Sequence, residues 1–300
     1  MKGYIHPAYA ESLADFGTSR QLPRCGGWIL VRQIPGTPHI DGMGCYPRFF
    51  CQDWSQLEAD LEEIGDELVT LALVTDPFGA YQPAYLRQCF DVVLPFKEHF
   101  IVDLRRPLNE IVSKNNRKKV RKAFKKVQVE KCEDPSQFLD EWTALYATLI
   151  ERHNIQAMRA FSRVAFAKQL SIPGMVMLRA RYQGTTVGIT LWFMQGEVGY
   201  GHLAAFSPVG YQLRASYALD WYALKYFSDQ LRWLDFGAGA GIANDGTDGL
   251  SAYKRIWSTG TRTAYFCGRI FNQARYSEIV KAKGIPPTNY FPAYRKGEFG

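Results

Sequence analysis

Asp235 closes a strand-like run, Leu231 to Phe236, immediately before the glycine-rich stretch Gly237-Ala-Gly-Ala-Gly241. A carboxylate at such a place can face a cleft, where it takes a proton or anchors an amine. It can equally cap the N–H groups of its own loop, an ordinary use of Asp beside glycine turns. His202 lies mid-strand in Gly-Tyr-Gly-His-Leu. Its imidazole titrates near neutrality and can move protons, though a lone strand histidine more often packs in a core. His153, in Arg-His-Asn-Ile, suits a cap at a helix end. The segment Ser207 to Ala215 joins a strand to a helix. Free N–H groups at a helix start, aided by the helix dipole, make an anion site, and Arg214 would add a side-chain charge. Gly210, Gln212, Leu213, Arg214, Ala215 and Ser216 would line it.

The net charge of +7 is unevenly spread. Arg105 to Lys131 holds eleven Lys or Arg against two Glu, a local +9, which leaves about −2 for the remainder. One surface therefore carries the basic character, with Arg117, Lys118, Arg121 and Lys122 as its exposed center. Such a face is solvated by default. Its functional use is an anionic partner: phosphates of a small ligand, a nucleotide-linked sugar, tRNA or an anionic leaflet. No base-reading motif accompanies it, which argues against sequence-specific nucleic-acid binding. The six cysteines are scattered without a CxxC pair, and no Cys/His set is spaced for zinc, so no metal is expected and the thiols read as reduced. Three hundred residues, 47% of them hydrophobic, suffice for two domains with packed cores. No apolar run reaches membrane-spanning length and no signal peptide opens the chain, so the expected location is cytoplasmic.

The elements follow from periodicity. Residues 27–34 read as a strand, and Arg48 to Cys51 as another. A helix beginning at Asp53 puts Leu57, Leu61 and Ile64 on one face, and the apolar run 67–75 suits a buried strand. A short helix near 82–90 and an extended stretch toward Asp103 complete a first lobe, 1–104. A second lobe, 105–300, opens with a basic helix over 108–126 and a strand over 127–131. Asp134-Pro135-Ser136 starts another helix. Three strands follow, 174–182, 187–194 and 198–206, separated by the turn signals Gln183-Gly184 and Gln195-Gly196. A helix over 213–227, the strand 231–236, a helix over 249–257 and a strand over 261–268 end the legible part. The class is α+β, each lobe a mixed, mainly antiparallel sheet flanked by helices.

Two stretches carry a family resemblance. Asn115-Asn-Arg-Lys-Lys-Val-Arg-Lys-Ala-Phe-Lys-Lys126 resembles the basic helix of the Fem-type transferases, Lys-x-Arg-x-x-Ile-Arg-Lys-Ala-x-Lys. Leu234-Asp-Phe-Gly237, then Gly249-Leu-x-x-Tyr253-Lys254-x-x-Trp257, resembles their Asp-Phe-Gly-Gly … Gly-Leu-x-x-Phe-Lys-x-x-Phe. Tyr253 and Trp257 stand where that pattern has Phe. The Ser207–Ala215 loop is similar in placement to the acyl-CoA loop of the wider GNAT superfamily, so the six residues named above would hold acyl-CoA, acetyl-CoA first. The resemblance implies two tandem GNAT-like lobes and acyl transfer to an amine or hydroxyl by direct attack in a ternary complex. The acceptor would be a small molecule or a cell-envelope precursor. It gives Lys254 the motif lysine's place, where its charge would stabilize the oxyanion or bind a phosphate, unless it is simply a solvated helix lysine. No long helical arm of the kind carried by tRNA-loading Fem-type enzymes is visible, so aminoacyl-tRNA is the second donor. A non-catalytic GNAT-like binding module is the reading from another class.

Overall fold

The computed structural model describes residues 1–153, 160–241 and 248–298. In chain order its elements begin with α1 (Pro7–Glu11), β1 (Thr18–Leu22), β2 (Gly27–Gln33), β3 (Ile40–Gly44), α2 (Leu57–Ile64), β4 (Thr70–Val74), α3 (Pro83–Cys89) and β5 (Val92–Asp103). There follow α4 (Leu108–Ile111), α5 (Lys114–Phe124), β6 (Gln128–Cys132), α6 (Leu139–His153), α7 (Arg163–Gln169), β7 (Met175–Tyr182), β8 (Thr185–Gln195) and β9 (Val198–Phe206). The last are α8 (Pro208–Leu213), α9 (Ala215–Phe227), β10 (Trp233–Asp235), α10 (Gly249–Arg255), β11 (Gly260–Ile270) and α11 (Gln273–Ala282).

These elements form two compact units, residues 5–96 with 263–300, and residues 1–4 with 97–262. In the first, β1, β2 and β3 make an antiparallel meander, β3 pairs parallel with β4, and β4 pairs antiparallel with β11. In the second, β6, β7, β8 and β9 make the meander, β9 pairs parallel with β10, and β10 pairs antiparallel with β5. The same sequence of pairings occurs in both units: meander, one parallel neighbor, one antiparallel neighbor. The expected α+β class with a mixed, mainly antiparallel sheet in each lobe is thus what the chain builds. The lobe limits read from sequence, 1–104 and 105–300, differ from this division. Beyond Arg262 the chain joins the first unit through the β4–β11 ladder, whose backbone bonds set the partition.

Local chemistry explains most elements. Leu57, Leu61 and Ile64 are buried on one face of α2, and Asp53 caps the turn before it by accepting from the Ser55 N–H at 3.0 Å. Gln183 and Gly184 both take positive φ, 50° and 83°, the geometry that lets a two-residue turn match the twist of β7 and β8. The expected single helix over 108–126 is two. Val112 leaves the helical region, and Ser113 starts a new helix by accepting from the Asn116 N–H at 3.3 Å. The stretch Arg48 to Cys51 forms only a bridge, Phe49 to Thr75, rather than a strand. The core of the second unit gathers Val102, Leu178, Trp192, Ala218, Leu219, Phe227, Leu234 and Trp257 between its sheet and α9.

Candidate functional site

The positions flagged by sequence sort into one convergent group, one neighboring surface and one outlier. Convergence occurs at Gly237. Asp235, at the end of β10 and wholly buried, accepts the Gly237 N–H at 2.7 Å. From α10, Lys254 extends its Nζ to the Ala238 carbonyl at 2.6 Å. Gly237 adopts φ 77°, which favors glycine, and a Cβ there would lie 3.1 Å from that Nζ and nudge the lysine's end aside. Asp235 and Lys254 are thereby brought to one turn. The loop between them passes through residues 242–247, outside the described residues.

Asp235 has a second partner that the sequence did not reveal. The buried His99, on β5, presents Nδ1 to both carboxylate oxygens at 3.1 and 3.0 Å. An ionized carboxylate only accepts, so in this contact Nδ1 is the donor. The dyad is the usual pairing of an imidazole with a carboxylate that fixes its tautomer.

Asp248 anchors the other end of the glycine-rich loop. Its Oδ1 accepts from the N–H groups of Leu250 and Ser251 at 2.9 and 3.0 Å, capping α10, and from Ala240 N–H at 3.3 Å. The Ser251 hydroxyl and these N–H groups pull its carboxyl down to about 2. One side chain thus orders both the loop and the helix that carries Lys254.

Behind Lys254 lies a polar contact between helices. Asp220, buried in the middle of α9, accepts the Tyr253 hydroxyl of α10 at 2.5 Å. Burial pushes the Asp220 carboxyl up to about 7, against the Tyr253 hydrogen bond and the Lys254 charge, which both lower it. Burial and the same carboxylate raise the Tyr253 phenol well above its ordinary 10.

The expected anion loop has a different local structure. Residues 208–213 are themselves helical, α8, with the Ser207 hydroxyl accepting from Gly210 N–H at 3.1 Å. Gly210 is buried, and a Cβ there would fall 2.0 Å from the Val187 carbonyl, so its glycine serves close packing rather than an anion cradle. Arg214, left-handed at φ 59°, links α8 to α9 and is exposed beside the exposed Gln212 and half-buried Leu213. Ala215 is buried and Ser216 half-buried in the first turn of α9, which has no side-chain cap. The basic helix reaches this turn: Lys119 Nζ donates to the Tyr217 hydroxyl at 3.4 Å, and the Tyr217 ring lies 5.5 Å from that of Tyr253. Val120 and Ala123 bury the inner side of α5, leaving Lys118, Arg121 and Lys122 exposed and Arg117 half-buried.

His202 is the outlier. It is the extra residue of a bulge, where β8 residues Leu191 and Trp192 pair with Leu203 and Gly201. The Tyr4 hydroxyl meets its Nδ1 at 3.0 Å and Nε2 meets Gln169 Oε1 at 3.1 Å, with Phe161 and Phe193 packed on the ring. This is a packed, hydrogen-bonded strand histidine. His153 does end α6, and the residues after it, 154–159, lie outside the described ones. Among the described residues no cluster of three or more His, Cys, Asp or Glu is placed to hold a metal. No described helix is long and apolar enough to cross a membrane.

Comparison with known proteins bears on the same segment. The family model described as an acetyltransferase (GNAT) domain matches residues 112–255, which contain Asp220, Asp235, Tyr253 and Lys254. No curated protein sequence matches the chain significantly. Among solved structures, the chain is similar to FemX, at 16% identity and a TM-score of 0.65, over 91% of this chain and 93% of that one. It is also similar to the C-terminal domain of a protein described as a lysylphosphatidylglycerol synthetase from Agrobacterium fabrum, at 13% identity and a TM-score of 0.63, over 95% and 92% of the two chains. L-PGS from Bacillus licheniformis gives 13% identity and a TM-score of 0.58, over 95% and 98%. At these identities the likeness speaks to fold.

Proposed function

From a chain that carries a GNAT acetyltransferase domain within a Fem-type double-GNAT fold, we propose direct transfer of an acyl group from acyl-CoA to an amine or hydroxyl. An acyltransferase is the activity class that the domain supports. The finer reading rests on the convergence of Asp235 and Lys254 on Gly237. Direct attack needs donor and acceptor held together and the carbonyl oxygen stabilized as its charge develops. Lys254 supplies that charge from a helix fixed by Asp248. Asp235 holds His99 and the loop, and the dyad anchors the acceptor. Acetyl-CoA is the first donor, with its pyrophosphate against the first turn of α9 and Arg214, and the cations of α5 alongside. The acceptor is a small molecule or a cell-envelope precursor, and the setting is the cytoplasm, where acyl-CoA is made. His202 receives no step.

Lys254→Met keeps length and removes charge. We expect kcat to fall about 10²–10³-fold with donor affinity nearly unchanged. A Lys254→Met protein at full speed ends the assignment. Acetyl-CoA should also raise the Tm of the wild type, since a ligand that binds only the folded state stabilizes it.

The second reading is an aminoacyl-tRNA donor. It draws on the exposed cations of α5 and on the whole-chain likeness in fold to FemX. A charged tRNA that supports transfer where acetyl-CoA does not would select it. A non-catalytic binding module has no use for Asp220 and Asp235 buried beside Lys254, and loss of transfer in Lys254→Met counts against it.

A further inference from the structure

Two departures from the Fem-type pattern lie four positions apart, Tyr253 in the last turn of α10 and Trp257 just beyond its end, and both place a ring carrying a polar hydrogen where the pattern has Phe. Tyr253 gives its hydroxyl to Asp220, and Ser216, in the first turn of α9, lies beside that hydroxyl. Trp257, fully buried, turns its ring toward Tyr217 and Tyr253. A contact that would otherwise be apolar thus contains a carboxylate, a phenol and a serine hydroxyl, beside the start of the helix proposed to receive the donor and one residue from Lys254.

We propose that Asp220 is the base of the transfer reaction and acts through the Tyr253 hydroxyl. This rests on the acyltransferase reading above. As the acceptor nucleophile attacks, its N–H or O–H proton passes to the Tyr253 oxygen while the phenolic proton passes to Asp220 Oδ2. The nucleophile–hydrogen bond and the Tyr253 O–H bond break, and a new Tyr253 O–H bond and an Asp220 O–H bond form. The nucleophile's electron pair makes the bond to the acyl carbon. As the carbonyl re-forms, the thioester C–S bond breaks, its pair leaving on the CoA sulfur, which takes a proton from solvent. Tyr253 ends as it began, and Asp220 holds one proton, to be returned to solvent before the next turnover. Tyr253 touches the acceptor and is the catalytic group; Asp220 acts through it.

Three features support the assignment. The 2.5 Å hydrogen bond is short enough for transfer with little motion. The Asp220 carboxyl, pushed up to about 7 by burial, is matched to a base working near neutrality. The Tyr253 phenol, raised well above 10, stays protonated and so relays a proton rather than storing a charge. The groups facing Asp220 are Tyr253 and Lys254 of α10. The α5 residue Lys119 stops at Tyr217, and β7 and β8 contribute the apolar Val176, Leu178, Ala180 and Trp192 to the surrounding core. Lys131 of β6 lies near Tyr222 and Tyr226 of α9, and Arg214 is exposed.

Asp220→Asn tests this, because Asn still accepts the Tyr253 hydrogen bond but takes no proton. With acetyl-CoA as donor and D-glucosamine and glycylglycine as acceptor probes, the wild-type-to-variant ratio of kcat is read against pH, so that the acceptor's own titration cancels. The ratio should rise about tenfold per pH unit up to about pH 7 and level off above it, reaching about 10²–10⁴, with the donor KM little changed. Tyr253→Phe should lose the same limb. A second readout needs no activity. Burial raises the carboxyl in the folded chain above its ordinary 3.8, so ionization costs stability, a cost absent below about pH 4 and complete above about pH 7. The Tm of Asp220→Asn should therefore exceed that of wild type by a margin that widens from pH 4 to pH 8. A margin indifferent to pH overturns the proposal with or without measurable turnover. So does a flat kcat ratio, or a limb lost in His99→Gln but kept in Asp220→Asn. Wild type inert with every donor while the Tm margin still widens would instead sink the acyltransferase reading.

Discussion

At the scale of single residues the second unit concentrates buried charge where an apolar core would be more stable. Asp220 is the extreme case. A carboxyl held near 7 rather than 3.8 costs on the order of 4 kcal/mol once ionized. That cost is a large share of the stability of an ordinary domain. A group this costly is what a functional site produces, since sites break local rules that cores obey. Gly237 offers a separate residue-scale prediction. Alanine there meets a left-handed φ of 77° and a contact of 3.1 Å with Lys254 Nζ. Gly237→Ala should lower Tm modestly, by the equivalent of about 1 kcal/mol. It should lower kcat more than it raises donor KM, because the displaced group is the ammonium and not the donor helix. Equal changes in both constants would place Lys254 in donor binding.

At the scale of elements the short helices act as mounts. Asp248 caps α10 and holds the glycine-rich loop at Ala240, so Asp248→Ala should remove about 1 kcal/mol of cap energy and also release Lys254. Thermal unfolding measures the first, and a fall in kcat approaching that of Lys254→Met measures the second. A stability loss with full kcat would show that Lys254 is positioned independently of Asp248. The α8–α9 step behaves differently. Gly210 packs under the Val187 carbonyl, so Gly210→Ala should cost about 1–3 kcal/mol through backbone displacement, without a specific loss of acyl-CoA affinity in the folded fraction. For α5 the readout is salt. Changing Arg117, Lys118, Arg121 and Lys122 to Gln should flatten the salt dependence of binding to any anionic substrate that uses this face, by roughly one unit of log–log slope for each phosphate that is no longer neutralized. A substrate whose affinity ignores salt from the start would mark α5 as a solvated face.

At the scale of the whole molecule, the final residues hold the first unit together rather than extending the second. Arg295 forms paired hydrogen bonds to Asp41 of β3 at 2.7 and 2.9 Å, and both side chains are nearly or fully buried. Arg32 of β2 bonds Glu298 from the same tail, and Tyr294 packs with Ile34, Val69 and Ile279. Removing one partner of a buried pair costs about 3–5 kcal/mol when the other charge is left uncompensated, and Arg32 Nε, 3.8 Å from Asp41, keeps the loss here toward the lower end. Arg295→Ala should therefore lower Tm sharply while the kcat of the folded enzyme is unchanged, since the proposed chemistry lies wholly in residues 97–262. A mild Tm effect would show that Asp41 keeps enough of its hydrogen bonding without the tail.

Short-range rules were enough for much of this protein. The periodic face Leu57-Leu61-Ile64, the Gln183-Gly184 turn and the order of the second unit's meander, helix and strand are written in neighbors within a few positions of one another, where propensity and backbone sterics decide. The same order, with the two spaced motifs around Asp235 and Lys254, carried the Fem-type resemblance and with it the fold. Other features depend on partners far along the chain. β1 and β3 have weak patterns and exist through pairing with β2, and β11 belongs to the first unit because it finds β4 nearly two hundred residues earlier. His99 carries no local signal; its meaning comes from Asp235, 136 positions away. Asp220 did leave a trace, a lone acid inside the apolar run of α9, but only burial and the Tyr253 hydroxyl give it a chemistry. Local sequence sets backbone conformation because the governing forces are short-ranged. A titratable group's environment is set by whatever the fold packs against it, which the tertiary structure alone decides.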